Sequence, residues 1–236
     1  MKTKSRIWFC SLIVIGFVII LAHSCKKDVY NPPYMTDHDG NAYTSVTIGT
    51  QVWMVENLKT TKYNDGSAIP LVTDEAAWAE FSTPGYCWYG NDAATYKATY
   101  GALYNWYVVD SASNGGKNVC PSGWHVPSDA EWTTLTTYLG GDSVAGGKLK
   151  ETGNAHWTYP NTGATNEAGF TALPGGRRND DGSFDFIKGY GYWWSSTEYS
   201  PMYAYVRDLI YNSSFVPNFG DFKKYHGLSI RCLRDN

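Results

Sequence analysis

The apolar positions of this chain follow different rhythms along its length. Ile7 to Ala22 is an almost unbroken apolar run, interrupted only by Ser11 and Gly16 and preceded by Lys2, Lys4 and Arg6. A basic head, a short apolar middle, and the small residues Ala22 and Ser24 flanking His23 before Cys25 predict an export signal. The run falls short of the roughly 20 residues a permanent membrane span wants. Residues 26–36 then contain Asn31-Pro32-Pro33, which cannot continue a helix or a sheet, and predict an extended tether. Alternation begins at Tyr43: Tyr43–Ile48 and Gln51–Val55 flank Gly49-Thr50 and predict a hairpin. Asp37–Asn41 and Asn64–Ser67 carry the residue types of turns.

Helical spacing appears in three places. Asp74–Phe81 predicts a short helix capped by Thr73 or Asp74, with Trp78 facing inward. Over Gly101–Val109, the shared face of Leu103, Trp106 and Tyr107 predicts a second, followed by a loop at Ser111–Lys117. The clearest is Ser128–Leu139, where Ser128 and Glu131 have the spacing of a capping box. Trp132, Leu135 and Leu139 form its apolar stripe, and Gly140-Gly141 supplies a left-handed stop. Beyond it the chain is rich in Gly, Asn and Thr, with short strands expected at Gly169–Leu173, Ser183–Ile187, Tyr192–Ser196, Tyr203–Ile210 and Leu228–Leu233. Few helices, many short strands and long loops predict an α+β domain without internal repeats. The expected plan is a signal peptide over 1–24, a lipidated tether over 25–36 and one domain over 37–236.

Charge narrows the function classes. Removing the three basic leader residues leaves 19 − 3 = 16 Lys plus Arg against 22 Asp plus Glu, a net of −6. Such a domain lacks the basic footprint that phosphate backbones require, so nucleic acid is not an expected partner. Aromatic residues make up 16% of the chain, nearly as many as its 17% charged residues, which gives more ring surface than a core of this size usually needs. Beyond Cys25 stand Cys87, Cys120 and Cys232. An oxidising compartment permits three pairings; Cys120–Cys232 is favoured because it ties the last strand to the mid-chain and closes a long loop. Cys87, set among aromatics, is expected to be a buried thiol.

Several ordered motifs carry a family resemblance. They include Ile48-Gly49-Thr50-Gln51-Val52-Trp53-Met54-Val55-Glu56-Asn57-Leu58, Cys120-Pro121-Ser122-Gly123-Trp124-His125-Val126-Pro127-Ser128 and Ala172-Leu173-Pro174-Gly175-Gly176-Arg177. Tyr192-Trp193-Trp194-Ser195-Ser196-Thr197 and Ser229-Ile230-Arg231-Cys232-Leu233-Arg234-Asp235 follow. Together they resemble the Fibrobacter succinogenes major paralogous domain, a family of exported proteins common in Bacteroidota, over nearly all of 37–236. Leu21-Ala22-His23-Ser24-Cys25 resembles a bacterial lipobox, with His23 unusual in it. That likeness implies a thioether-linked diacylglyceryl group on Cys25, a membrane held through the anchor, and an outer-membrane lipoprotein facing the periplasm or the outside. More distantly, Trp124–Trp132 and Ile230–Cys232 are similar to segments of the formylglycine-generating group, which implies a C-type-lectin-like core with its termini close together.

The chemistry the sequence offers is sparse. A formylglycine-type oxidase needs two nearby cysteines, and Cys232 stands alone near the C-terminus. The calcium-lectin loop is replaced by Tyr159-Pro160-Asn161 and Trp194-Ser195-Ser196. Asp37–Asn41 and Asn179–Gly182 are oxygen-rich but do not fill the spacing of a calcium loop. His38, His125, His156 and His226 have no metal spacing, and Ser195 and Ser196 lack a nucleophile elbow. His125, just before a helix cap, is expected to be a hydrogen-bonded structural histidine. No cofactor, metal or catalytic residue is therefore expected. Trp157, Tyr159, Arg177, Arg178, Asp180 and Asp181 combine stacking rings with polar groups in the loop-rich stretch and form the candidate ligand patch. The expected function is non-catalytic binding of a glycan or protein. The alternative is a structural adhesin or envelope-assembly subunit.

Overall fold

The computed structural model describes residues 35–235, so the leader, Cys25 and most of the expected tether lie outside the described residues. Met35–Thr36 (β1) pairs antiparallel with Ala42–Tyr43 (β2). Asp37 closes the turn between them: its Oδ1 accepts from the amides of Asp39 and Asn41, each at 2.9 Å, and its Oδ2 from the Tyr43 hydroxyl at 2.6 Å. This Asx turn draws Met35 and Thr36 out of the tether and into the fold.

The expected hairpin forms from Ser45–Ile48 (β3) and Gln51–Met54 (β4). Glu75–Ala79 (α1) starts at Asp74, whose side chain accepts from the Ala77 amide, and buries Trp78. Tyr86–Cys87 (β5) pairs with Leu103–Tyr104 (β6), on either side of Ala93–Tyr100 (α2). The helix expected over Gly101–Val109 is thus replaced by β6 and a 3-10 turn at Trp106–Val108. Long-range backbone partners decide this, since the amides of Ala102, Tyr104 and Trp106 donate to the carbonyls of Leu58, Leu228 and Lys224. The helix lies one segment earlier, in α2, whose alanines and threonines bury only Tyr100 and so leave no apolar stripe.

Ser111–Asn114 (α3) is a single turn capped by Asp110 within the expected loop. Trp124–His125 (β7) leads to Asp129–Tyr138 (α4), which carries the expected capping box, with the Ser128 amide donating to Glu131 at 2.7 Å. Past Gly140-Gly141 comes Asp142–Leu149 (α5), which its glycines conceal from periodicity. A Cβ at Gly147 would sit 2.3 Å from the Gly163 carbonyl oxygen, and one at Gly146 2.7 Å from that of Ser214. These glycines serve close packing. 

Gly175–Arg178 (β8), Phe184–Ile187 (β9), Tyr190–Ser200 (β10), Tyr203–Ile210 (β11) and Asn218–Lys223 (β12) form a five-stranded sheet ordered β12-β11-β10-β8-β9. Leu233–Arg234 (β13) lies between β4 and β7 in a four-stranded sheet ordered β3-β4-β13-β7. The strand expected at Gly169–Leu173 shrinks to a bridge between Ala172 and Lys150, and Leu228 and Ser229 also form only bridges. The architecture is α+β.

Strand alternation divides the rings between two aromatic cores. Trp194 and Met54 enter one with Tyr104, Trp106 and Trp124. Their neighbours Trp193 and Trp53 enter the other with Trp132, Trp157 and Phe170. Two buried cations brace the second core without a carboxylate. Lys150 Nζ donates to the carbonyls of Thr162, Ile210 and Ser213 at 2.8–2.9 Å. Arg231 donates to the Phe170 carbonyl and to Asn57 Oδ1, and its guanidinium lies 4.0 Å from the Phe170 ring centre. Burial holds Lys150 down to about 8 and Arg231 down to about 9.

Cys120 and Cys232 are bonded, 112 residues apart, and Cys87 is a buried thiol that burial pushes up to about 12. A loop of this length stabilises a fold by about 2–5 kcal/mol through restriction of the unfolded chain. Urea unfolding of the Cys120→Ser/Cys232→Ser protein is expected to show a loss in that range. An unchanged midpoint would mean that the bridge adds nothing.

Candidate functional site

Adjacent residues on a strand point to opposite faces of its sheet, and β8 ends in two arginines. Arg178 goes inward and is fully buried. Its Nε donates to Gly182 O at 2.8 Å, its Nη1 to Val72 O at 2.6 Å, and its Nη2 to the carbonyls of Thr73 and Asp74 at 3.0 and 3.1 Å. The rings of Trp78 and Phe184 lie 4.5 and 4.9 Å from the guanidinium. Arg177 goes the other way and stays half-buried. Phe186, Tyr192 and Phe222 surround its guanidinium at 5.0, 5.5 and 5.8 Å. No described residue accepts a hydrogen bond from it, and its buried Nε is without a partner.

The surrounding groups come from every strand of the five-stranded sheet. Tyr190 stacks on Tyr192 with centroids 5.6 Å apart and 7° between planes. Phe186, 43% exposed, packs against Tyr190 at 4.8 Å. Regular alternation from Phe184 would put Phe186 on the Arg178 face; instead its backbone takes φ +65° and the ring joins Arg177. A left-handed phenylalanine costs on the order of 1–3 kcal/mol, strain that tends to concentrate at functional sites. Beneath lies Asp208, paired with Tyr192 across β10 and β11, 2% exposed and with Oδ1 unpartnered. Burial pushes its carboxyl up to about 7, although the backbone and the charge of Arg177 pull the other way. His226 borders the cluster through Phe222, with ring centres 5.4 Å apart. Its pKa is lowered, first by burial and then by the charge of Arg177.

Of the six residues proposed from sequence, Arg177 and Asp180 converge here. Asp180 binds Lys223 Nζ at 2.5 Å and lies 3.8 Å from His226 Nε2. Trp157 and Arg178 are corrections: both are interior, Trp157 donating its indole N–H to Ala172 O at 2.9 Å and Arg178 spent on carbonyls. Neither presents a surface to a ligand. Asp181 caps its own turn by accepting from the Ser183 amide and hydroxyl. Tyr159 is 78% exposed, and no described ring pairs with it. Phe186, Tyr192, Asp208, Phe222 and His226 were not among the patch residues expected from the sequence. The charged pair Arg207-Asp208 within an otherwise apolar strand, Tyr203–Ile210, was the signal for Asp208.

Other polar clusters are structural. His125 is held between Asp235 at 2.6 Å and Glu131 at 3.0 Å; burial opposes its charge, but these two carboxylates outweigh burial and raise its pKa. Asp39 is engaged by Thr61 and Lys62, and no cluster of three His, Cys, Asp or Glu suited to a metal occurs among the described residues.

An α+β domain with a ring-framed arginine on its larger sheet is thus the class of molecule at hand. The model of the Fibrobacter succinogenes major domain matches residues 46–234, and the chain belongs to that family. The match contains every residue of the Arg177 cluster. No curated protein and no solved structure matches the chain.

Because the Asp208 carboxyl titrates higher in the fold than in the unfolded chain, it favours the fold in acid, and that contribution is lost as pH rises from about 4 to about 7. Asp208→Asn needs no charging there. Its stability relative to wild type is expected to rise by about 2–4 kcal/mol over that interval, read from urea unfolding at each pH. Parallel curves would contradict a buried, protonated carboxyl.

Proposed function

We infer that this protein is an exported cell-envelope lipoprotein, acylated at Cys25, whose domain binds a glycan or protein partner without catalysis through the surface around Arg177. The observation that carries the reading is the guanidinium itself. A buried or half-buried arginine normally directs its donors at protein acceptors, as Arg178 does through all three of its nitrogens, whereas Arg177 is surrounded by rings and donates to no described residue through any of its nitrogens. Rings beside unspent donors are the equipment of a recognition surface.

Location rests on the leader, the lipobox-like segment and a long-range disulfide suited to an oxidising compartment. The C-type-lectin-like reading of the core belongs to the same proposal. It is supported by β13 lying between β4 and β7, which brings the last strand beside the first hairpin.

Two experiments test the reading. Metabolic labelling with a palmitate analogue is expected to mark the wild type and not Cys25→Ala, which would then leave the membrane fraction. Glycan-array and pulldown binding is expected to fall at least tenfold in Arg177→Ala and to persist in Tyr159→Ala. Equal binding by both variants would remove the Arg177 surface from the account.

A further inference from the structure

We propose that the Arg177 surface takes a carboxylate-bearing sugar, a uronic acid residue within an acidic polysaccharide, with the carboxylate on the guanidinium fork and the pyranose ring against Phe186 and Tyr190. The inference rests on the binding reading above and names its ligand class.

The donor comes first. A guanidinium presents parallel N–H groups that match the two oxygens of a carboxylate, and Arg177 has no such acceptor among the described residues. Phe186, Tyr192 and Phe222 surround it and leave it half-buried, and an ion pair with fewer water neighbours is stronger than one in bulk water.

Charge selects among anions. The chain beyond the leader carries a net of −6 by the count above, so an anion is held by local contacts and not by the long-range field. The nearby acids leave room for one negative charge. Asp180 is paired with Lys223, Asp185 accepts from Asn179 Nδ2 at 2.6 Å, and Asp208 is buried beneath the site. A doubly charged phosphate would be repelled by Asp180 and Asp185 more strongly than a singly charged carboxylate, and the buried Asp208 carboxyl would add to that wherever it ionises.

Rings and acceptors then select a sugar. Phe186 is 43% exposed and braced by Tyr190, a flat apolar platform for the C–H face of a pyranose. Asp185, exposed and opposite Arg177 in the β8–β9 register, offers an acceptor to ring hydroxyls. The left-handed backbone of Phe186 adds an independent sign of function, since strain is being spent to keep a ring half in water.

The test titrates the purified full chain with a hexagalacturonate and with the same oligomer after carboxyl reduction, by calorimetry, with a peptide ending in a free carboxylate as a third probe. The acidic hexamer is expected to bind at least tenfold more tightly than its reduced form. Arg177→Lys, which keeps charge and loses the fork, should abolish that preference. Phe186→Gly should weaken the hexamer about tenfold while leaving Tm unchanged or higher, because glycine relieves the positive φ; a ring with only a structural role would lower Tm instead. Equal binding of acidic and reduced hexamers, both weakened by Phe186→Gly, overturns the carboxylate inference and leaves the binding reading standing. Tighter binding of the peptide overturns the sugar. Failure of every probe to bind, or binding indifferent to Arg177, overturns both.

Discussion

The interior seat of Arg178 is the constraint on which the rest depends. A fully buried guanidinium without a carboxylate is costly unless its donors are met, and here four backbone carbonyls and two ring faces meet them. Those carbonyls belong to Val72, Thr73 and Asp74 ahead of α1 and to Gly182 in the β8–β9 turn, so one side chain fixes β8 against a segment about 100 residues away in sequence. With β8 pinned in register, alternation leaves Arg177 no choice of face. The anchor thereby creates the donor beside it.

The same division recurs through the molecule. Trp193 and Trp194 go to opposite cores. On β11, Arg207 turns to Asp129 on α4 at 2.5 Å while Asp208 turns toward Arg177. In each of these pairs the two neighbours serve opposite sides of the sheet. The chain's surplus of aromatic residues has a similar double use. Most rings fill the cores and brace buried cations, and a few, at Phe186, Tyr190 and Phe222, reach the surface around one arginine.

Much of this was legible in the sequence where local chemistry decides the outcome. The Ser128–Glu131 box, the Asp74 cap, the first hairpin and the Cys120–Cys232 pair all carry short-range signals or a single favoured long closure. Legibility failed where partners lie far away. Gly101–Val109 has a helical stripe, yet its amides are claimed by Leu58, Leu228 and Lys224. The glycines of α5 mark close packing and not a loop. Sequence also could not say which of two neighbouring arginines is interior. Strand phase settles that, and Gly175-Gly176-Arg177-Arg178 has no apolar alternation from which to read it.

The central claim is that one strand separates an anchoring arginine from a recognising one. Side-chain 15N NMR of the arginine Nε–H groups tests it most directly. The account predicts a slowly exchanging Arg178 signal that does not respond to ligand, and a faster Arg177 signal that shifts alone on adding a uronic acid oligosaccharide. Fast exchange at Arg178, or a ligand shift there and not at Arg177, would contradict it.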